Sequence, residues 1–277
     1  MPPRITPLTP SRWPLADADA EASGDWFPQV PAAALGPTLL LVDRRDPAIS
    51  AEERRRLLAG LSSAERERLQ RYRQAQDADR FLLGRGLMRR WLAQLQGCSA
   101  GDLPFTSLAH GKPMVAGAPQ FNVSHSGDLI LLGLHRERAV GVDLEQDRAR
   151  LDWQRIARRF LGEAALEGLR QAPGDETTRR QAFLLAWCGL EARLKAEGRG
   201  LRGLSDLVGS AQPGGSGLPT WPWDGACWPL RCPEGYQGAA ALQTAAAAPA
   251  PPSPSDQAAG GRADASTASG PIHIASP

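Results

Sequence analysis

Two acids, Asp143 and Glu145, stand two residues apart in the stretch AVGVDLE, alternating with Val140, Val142 and Leu144. Successive side chains of an extended chain point to opposite faces, so this alternation sets both carboxylates side by side on one face. Such a pair is either a solvated strand face or a cation site. A second pair, Glu191 and Lys195, lies four apart in QAFLLAWCGLEARLKAE, where Phe183, Trp187, Leu190 and Leu194 recur at helical spacing. The acid and the amine therefore share one flank of a helix, a spacing that with glutamate first also suits an ordinary surface ion pair.

Lysine is scarce: Lys112 and Lys195 are the only two, and apart from four histidines arginine supplies every other basic side chain. A lysine is a compact point charge and an arginine a planar fork, so a phosphate site built for one does not freely accept the other. Chance is the competing explanation of that bias. Ser124 and His125 adjoin each other, and on an extended chain adjacent side chains point apart. With no nucleophile elbow and no third member, a hydrolase triad is not indicated.

The elements that must position these groups follow from periodicity. A strand is expected at Thr38 to Asp43, helical segments from Ala51 to about Tyr72 and from Asp77 to about Gln96, with Ser62 and Glu65 spaced as a capping box. Phe81, Leu87, Met88, Trp91, Leu92 and Leu95 form the buried stripe of the second segment. Arg85 falls beside Phe81 and Leu92, as a snorkelling side chain or as one held for an anion. A short extended lead through Phe121, a strand from Leu129 to Leu134, a turn at His135 to Glu137 and a strand from Ala139 to Glu145 come next. Helices are expected from Trp153 to Leu169 and from Thr178 to about Glu197, the latter stopping at Gly198 or Gly200. Trp221 to Ala241 reads as short strands closing a sheet. Phe81-Leu82-Leu83 and Phe183-Leu184-Leu185 form a faint internal echo.

The chain has 277 residues, 22% charged and 42% hydrophobic, with a formal charge of +2, which suits one or two globular domains. No apolar run approaches the roughly 20 residues of a spanning helix, and the N-terminus has proline where a secretory signal has its apolar core. A cytoplasmic protein is expected, with no membrane partner. Cys98, Cys188, Cys227 and Cys232 are scattered as free thiols, and the close pair Cys227 and Cys232 lacks two further zinc ligands nearby. Arginine richness without an aromatic platform argues against nucleic acid. Residues 1–37 are expected to be loop-rich, with Trp13, Trp26 and Phe27 available to a core, and residues 245–277 are too poor in large apolar side chains to fold.

GKP at Gly111 to Pro113, FNVSHSGD at Phe121 to Asp128, GVDLE at Gly141 to Glu145 and WCGLEARLKAEGRGL at Trp187 to Leu201, in that order, together resemble the 4'-phosphopantetheinyl transferases of the Sfp type. Upstream, LSSAERERLQRY and ADRFLLGRGLMRRWL look like that family's first half, so the resemblance spans roughly residues 38–245. It implies transfer of the 4'-phosphopantetheine arm of coenzyme A to a serine of an apo acyl carrier protein, as in fatty acid biosynthesis, or of a peptidyl or aryl carrier domain, releasing adenosine 3',5'-bisphosphate.

The resemblance also implies an α+β fold of two similar halves about a pseudo-two-fold axis, residues 1–136 and 137–244, with a cleft between them, and a monomer; composition leaves 245–277 as a disordered tail. Asp143, Glu145 and Glu191 would hold Mg2+, with Mn2+ as the alternative. Glu191 is also the candidate general base and Lys195 the group that neutralises the pyrophosphate. Ser124 and His125 would contact the coenzyme A phosphates, and Lys112, Arg80 and Arg85 the nucleotide end. Arg155, Arg158 and Arg159 would meet an acidic carrier. In one respect the chain departs from the family: the lysine that usually precedes the helix glutamate is Leu190. That departure keeps open a catalytically silent coenzyme A-binding relative. A different metal-dependent phosphotransferase or hydrolase is the other rival.

Overall fold

Continuous apolar runs, Leu39–Val42 and Leu129–Leu134, build the central strands of the first sheet. The computed structural model describes residues 7–13, 27–31, 34–108, 111–200 and 225–244. The expectations for Trp26, for Trp221 to Asp224 and for the tail at 245–277 lie outside these residues. In chain order the elements are β1 (Ser11–Trp13), β2 (Thr38–Asp43), α1 (Ala51–Ala59), α2 (Ser63–Gln70), α3 (Ala75–Gln96), β3 (Phe105–Ser107), β4 (Pro113–Val115), β5 (Gln120–Ser126), β6 (Leu129–His135), β7 (Val140–Gln146), α4 (Trp153–Phe160), α5 (Glu163–Gln171), α6 (Glu176–Glu197), β8 (Cys227–Pro229) and β9 (Tyr236–Leu242). Among the described residues no helix is long and apolar enough to cross a membrane.

One sheet has the order β1-β2-β6-β5, a second the order β7-β9-β8, and β3 and β4 form a separate hairpin. Apart from β1, which lies parallel to β2, all strand pairs are antiparallel. The two larger sheets share a connectivity: β2-β6-β5 and β7-β9-β8 each place the last strand between the first and the second. In each, among the described residues, three α-helices separate the first strand from the next strand of that sheet, and the third helix, α3 or α6, has 22 residues.

β2 and β6 are buried on both faces, and alternate residues face two different layers. Leu40, Val42, Ile130, Leu132 and Leu134 turn toward Leu83, Leu87 and Trp91 of α3. From the opposite face, Leu39, Leu41, Leu129 and Leu131 meet Val140, Val142 and Leu144, so the two sheets join through β7. Trp13 and Phe27 are buried in the first core, where Phe27 stacks on Trp91 at 5.8 Å.

Several boundaries differ from the sequence expectation. Ala51 to Tyr72 is two helices, because the Ser62–Glu65 capping box is complete and opens a new one after Gly60 and Leu61. Trp153 to Leu169 breaks at Gly162, whose φ of +86° favours glycine. The extended lead at Phe121 is the full seven-residue strand β5, and β9 is a central strand rather than a closing one. The proline-rich N-terminus contributes β1 and, through Leu8, hydrogen bonds to Pro229 and Arg231 beside the second sheet.

Candidate active site

The close approach of α6 to β7 and β9 sets the geometry. Cys188, Ala192 and Ala196, at four-residue intervals, pack with Ala239, Ala241 and Cys227, so the helix face against the sheet is lined by small side chains. Gly141 completes the fit: a Cβ there would lie 1.9 Å from the Ala192 carbonyl oxygen and 2.4 Å from the Ala196 nitrogen. The opposite side of α6 buries Phe183, Trp187, Leu190 and Leu194 beside Trp153 and Leu166. Each such side chain contributes roughly 1.5–3 kcal/mol of transfer free energy. Arg180, ion-paired with Asp147 just beyond β7, ties down the helix's first half, and Gln181 adds a hydrogen bond to the same carboxylate. Glu191 and Lys195 are thereby brought to Asp143.

Neither of the two acids on β7 lies on a solvated face. Asp143 is 1% exposed, Glu145 4% and Glu191 9%. Lys195 Nζ donates to Asp143 Oδ1 at 2.6 Å, to Ser124 Oγ at 3.3 Å and to the Val142 carbonyl at 3.2 Å. Ser124 donates to Asp143 Oδ1 at 3.0 Å, and Ser126 to Glu145 Oε2 at 2.9 Å.

The edge of β7 that faces β5 is satisfied by side chains rather than by another strand. Val142 N–H donates to Asn122 Oδ1 at 2.9 Å and Gln146 N–H to Ser126 Oγ at 3.0 Å. The carbonyls of Val140 and Val142 accept from Lys112 and Lys195. An edge strand otherwise presents unpaired backbone groups, and here the motif residues cover four of them.

Burial and the charge of Asp143 push the Glu145 carboxyl up to about 8. Burial pushes Glu191 up to about 7, with Asp143 adding to the rise and Lys195 opposing it. Burial works against the Lys195 ammonium, yet Asp143, Glu191 and Glu145 hold it above the ordinary lysine value.

Asp143 Oδ2 is buried and meets no hydrogen-bond donor. A buried carboxylate oxygen without a donor is costly, and a cation with oxygen preference would satisfy it. Ser126 engages only one oxygen of Glu145. No three His, Cys, Asp or Glu side chains among the described residues stand as a ready metal-holding group. The donor set fits an ion such as Mg2+, which takes one or two carboxylates and completes its shell with water and phosphate.

The remaining candidates sit elsewhere. Lys112 Nζ donates to the carbonyls of Val140 and Lys195, both at 2.8 Å, and burial pushes it down to about 8. His125, on β5 between Ser124 and Ser126, projects from the opposite face of that strand. Arg80 pairs with Asp77 and donates to the Gly127 carbonyl at 2.7 Å. Arg85 lies 3.4 Å from Glu65 and 4.6 Å over the Phe105 ring, and burial pushes it down to about 10. The structure thus joins Ser124, Asp143, Glu145, Glu191 and Lys195 around β7, touches them with Lys112 through backbone, and sets Arg85 among α2, α3 and β3. Leu190 is fully buried in the second core.

Asn122, Ser126 and Gly141 were missed as site residues. The i, i+2 alternation of Asn122, Ser124 and Ser126 was the available signal, hidden by reading β5 as a short lead. Nothing local marks Gly141, because its constraint comes from a helix some 50 residues away in sequence, at Ala192 and Ala196.

Residues 48–136 match the family described as 4'-phosphopantetheinyl transferase, N-terminal, and residues 139–217 the 4'-phosphopantetheinyl transferase superfamily. A Synechocystis sp. protein that bears the name 4'-phosphopantetheinyl transferase provisionally is 37% identical over 52% of this chain and 59% of its own length. The 4'-phosphopantetheinyl transferase HetI of Nostoc sp. is 33% identical over 54% of this chain and 65% of its own. The chain thus spans less than two thirds of these two relatives. For the 4'-phosphopantetheinyl transferase Sfp of Bacillus subtilis the identity is 30%, over 56% of this chain and 68% of that protein. The first family match covers the serine strand, the second the carboxylate strand and the helix that carries Glu191 and Lys195, and with a relative 30% identical covered over 68% of its length the chain belongs to the 4'-phosphopantetheinyl transferases of the Sfp type.

Proposed function

We propose that this protein transfers the 4'-phosphopantetheine arm of coenzyme A to a serine hydroxyl of an acyl, peptidyl or aryl carrier protein. The observation that carries this reading is the buried Asp143 carboxylate, with one oxygen on Lys195 and Ser124 and the other without a donor, inside the family's matched segment. In the reaction the carrier serine oxygen forms a bond to the phosphorus that bears the pantetheine arm. The bond from that phosphorus to the bridging oxygen breaks, and adenosine 3',5'-bisphosphate leaves with the electron pair. Such a displacement asks mainly for positioning, charge neutralisation and removal of one proton.

Asp143 and Glu145, with Glu191 as a third donor, would hold Mg2+ or Mn2+. When bound, that ion supplies charge neutralisation at the pyrophosphate. Lys195 adds a fixed positive charge beside it, which stabilises the leaving group. Glu191, whose carboxyl is raised to about 7, is matched to accept the serine proton near neutral pH. A carboxylate that binds the cation is a weaker base, so these two roles of Glu191 compete. The resemblance assigns Ser124, His125, Lys112, Arg80 and Arg85 to the coenzyme A phosphates and nucleotide, and of these Lys112 is already engaged by the carbonyls of Val140 and Lys195.

We read the chain as a monomer whose halves, residues 1–136 and 137–244, are related by a pseudo-two-fold axis with the ligand between them; the shared strand order of the two sheets supports this. An acidic carrier would dock on α4, where Arg155, Arg158 and Arg159 are exposed. The test is the intact mass of an apo carrier protein after incubation with this protein, coenzyme A and Mg2+. A gain of about 340 Da that Asp143→Ala abolishes is the expected result, and no gain on acyl, peptidyl or aryl carriers would overturn the reading.

A further inference from the structure

Ser126 lies two residues beyond Ser124 on β5, as Glu145 lies two beyond Asp143 on β7, so the serines and the carboxylates match in spacing. Each serine takes one oxygen of its acid: Asp143 Oδ1 at 3.0 Å and Glu145 Oε2 at 2.9 Å. Ser124 also accepts from Lys195. Ser126 instead accepts the Gln146 backbone N–H at 3.0 Å. A hydroxyl has one proton and two lone pairs, and an ionised Glu145, the form a cation would bind, can only accept, so the proton of Ser126 goes to Glu145 while the Gln146 N–H takes a lone pair.

The serine is itself held. Ser126 is 1% exposed and precedes the two-residue turn Gly127–Asp128, where Gly127 has φ +55°. Arg80 Nε donates to the Gly127 carbonyl at 2.7 Å, and Asp128 N–H donates to Tyr236 Oη at 3.1 Å. The turn is therefore fixed from α3 on one side and from β9 on the other.

We propose that Ser126 is a positioning residue for the cation site, holding Glu145 Oε2 so that Oε1, together with Asp143 Oδ2, is left for a divalent ion. This rests on the reading of Asp143 and Glu145 as ligands. Partners that orient a liganding carboxylate typically change metal affinity by about 10–100-fold when removed.

The test is Mn2+ binding to the full chain with coenzyme A present, followed by the electron paramagnetic resonance signal of the free ion, with melting measured in parallel. Ser126→Ala is expected to weaken Mn2+ binding by about tenfold while the protein stays folded, and Ser126→Thr, which keeps the hydroxyl, to bind within about threefold of the parent. Unchanged affinity in Ser126→Ala, or equal weakening in both variants, would overturn the proposal. Should Ser126→Ala not fold, Ser126→Cys, close in volume with a far weaker donor, takes its place with the same expected and overturning results. A parent protein that binds no Mn2+ would instead defeat the ligand reading of Asp143 and Glu145, so the two failures are distinguishable.

Discussion

Lys195 Nζ lies 2.6 Å from Asp143 Oδ1, while Asp143 Oδ2 is buried without a donor. One carboxylate thus meets the lysine with one oxygen and leaves the other without a donor; on the proposed reading a cation would take that oxygen, which would set two positive charges on either side of a single acid. The lysine arrives from α6 and the acid from β7, and the spacing between them depends on how closely helix and strand approach.

Removing the amine strands the acid. Lys195→Met should lower stability by about 3 kcal/mol, the lower end of the cost of breaking a buried ion pair, because the lysine side chain keeps 19% of its exposure. The double variant Lys195→Met with Asp143→Asn should cost less than the sum of the two single changes, since neither partner is then left charged alone. Denaturant unfolding of the four proteins checks this, and additive losses would show that the pair is not coupled. Carrier loading should be lost in all three variants.

The raised carboxyls also set a pH dependence. Glu145 and Glu191 titrate near 8 and 7 in the folded protein, against an ordinary glutamate value of 4.5. Between these limits the folded state binds more protons than the unfolded one, so stability falls as pH rises from about 4.5 to about 8. Lys112, lowered from 10.5 to about 8, works in the opposite sense, but only above pH 8. Without divalent ions the protein should therefore melt several degrees higher at pH 5.5 than at pH 8, and Mg2+ should narrow the gap by neutralising the acids. A melting temperature that rises over this interval without metal would contradict the assignment.

Gly141→Ala tests the closeness of helix and strand. The added methyl would sit 1.9 Å from the Ala192 carbonyl oxygen, and backbone cannot yield as a flexible side chain does. A loss of at least about 3 kcal/mol is expected, at or beyond the upper end for overpacking, together with loss of carrier loading. Circular dichroism melting checks it, and near-parental stability would mean that α6 can move off β7 at little cost.

Much of this site was legible because it is local. Alternation in GVDLE put Asp143 and Glu145 on one face, and helical spacing put Glu191 and Lys195 on one flank; both hold. Alternation assigns a face without saying what lies across from it, so a solvated face and a buried one looked alike until α6 was seen against β7. The Ser62–Glu65 box was readable for the same local reason, whereas the break it imposes after α1 was not drawn from it. Sheet order was out of reach: that β9 sits between β7 and β8 depends on pairings such as Asp143 with Ala239, about a hundred residues apart.

Lys112 shows the same limit most sharply. Its resemblance to a family lysine assigns it to the nucleotide, while its Nζ donates to the carbonyls of Val140 and Lys195 at 2.8 Å each. Those bonds link the start of β7 to the last turn of α6, and the second holds the backbone of the lysine that reaches Asp143. Lys112→Met keeps the chain length and removes both donors. If the link is what matters, stability falls by about 2 kcal/mol from two buried carbonyls losing their donor, and carrier loading falls through kcat as Lys195 loses its support. If contact with the nucleotide is what matters, KM for coenzyme A rises while the melting temperature stays near the parent's. Lys112→Arg separates the two further, because a planar fork can meet a phosphate but does not fit a slot shaped for one ammonium between two carbonyls. We expect the first pattern, with Lys112→Arg no better than Lys112→Met in melting, and a KM effect alone would return Lys112 to the nucleotide.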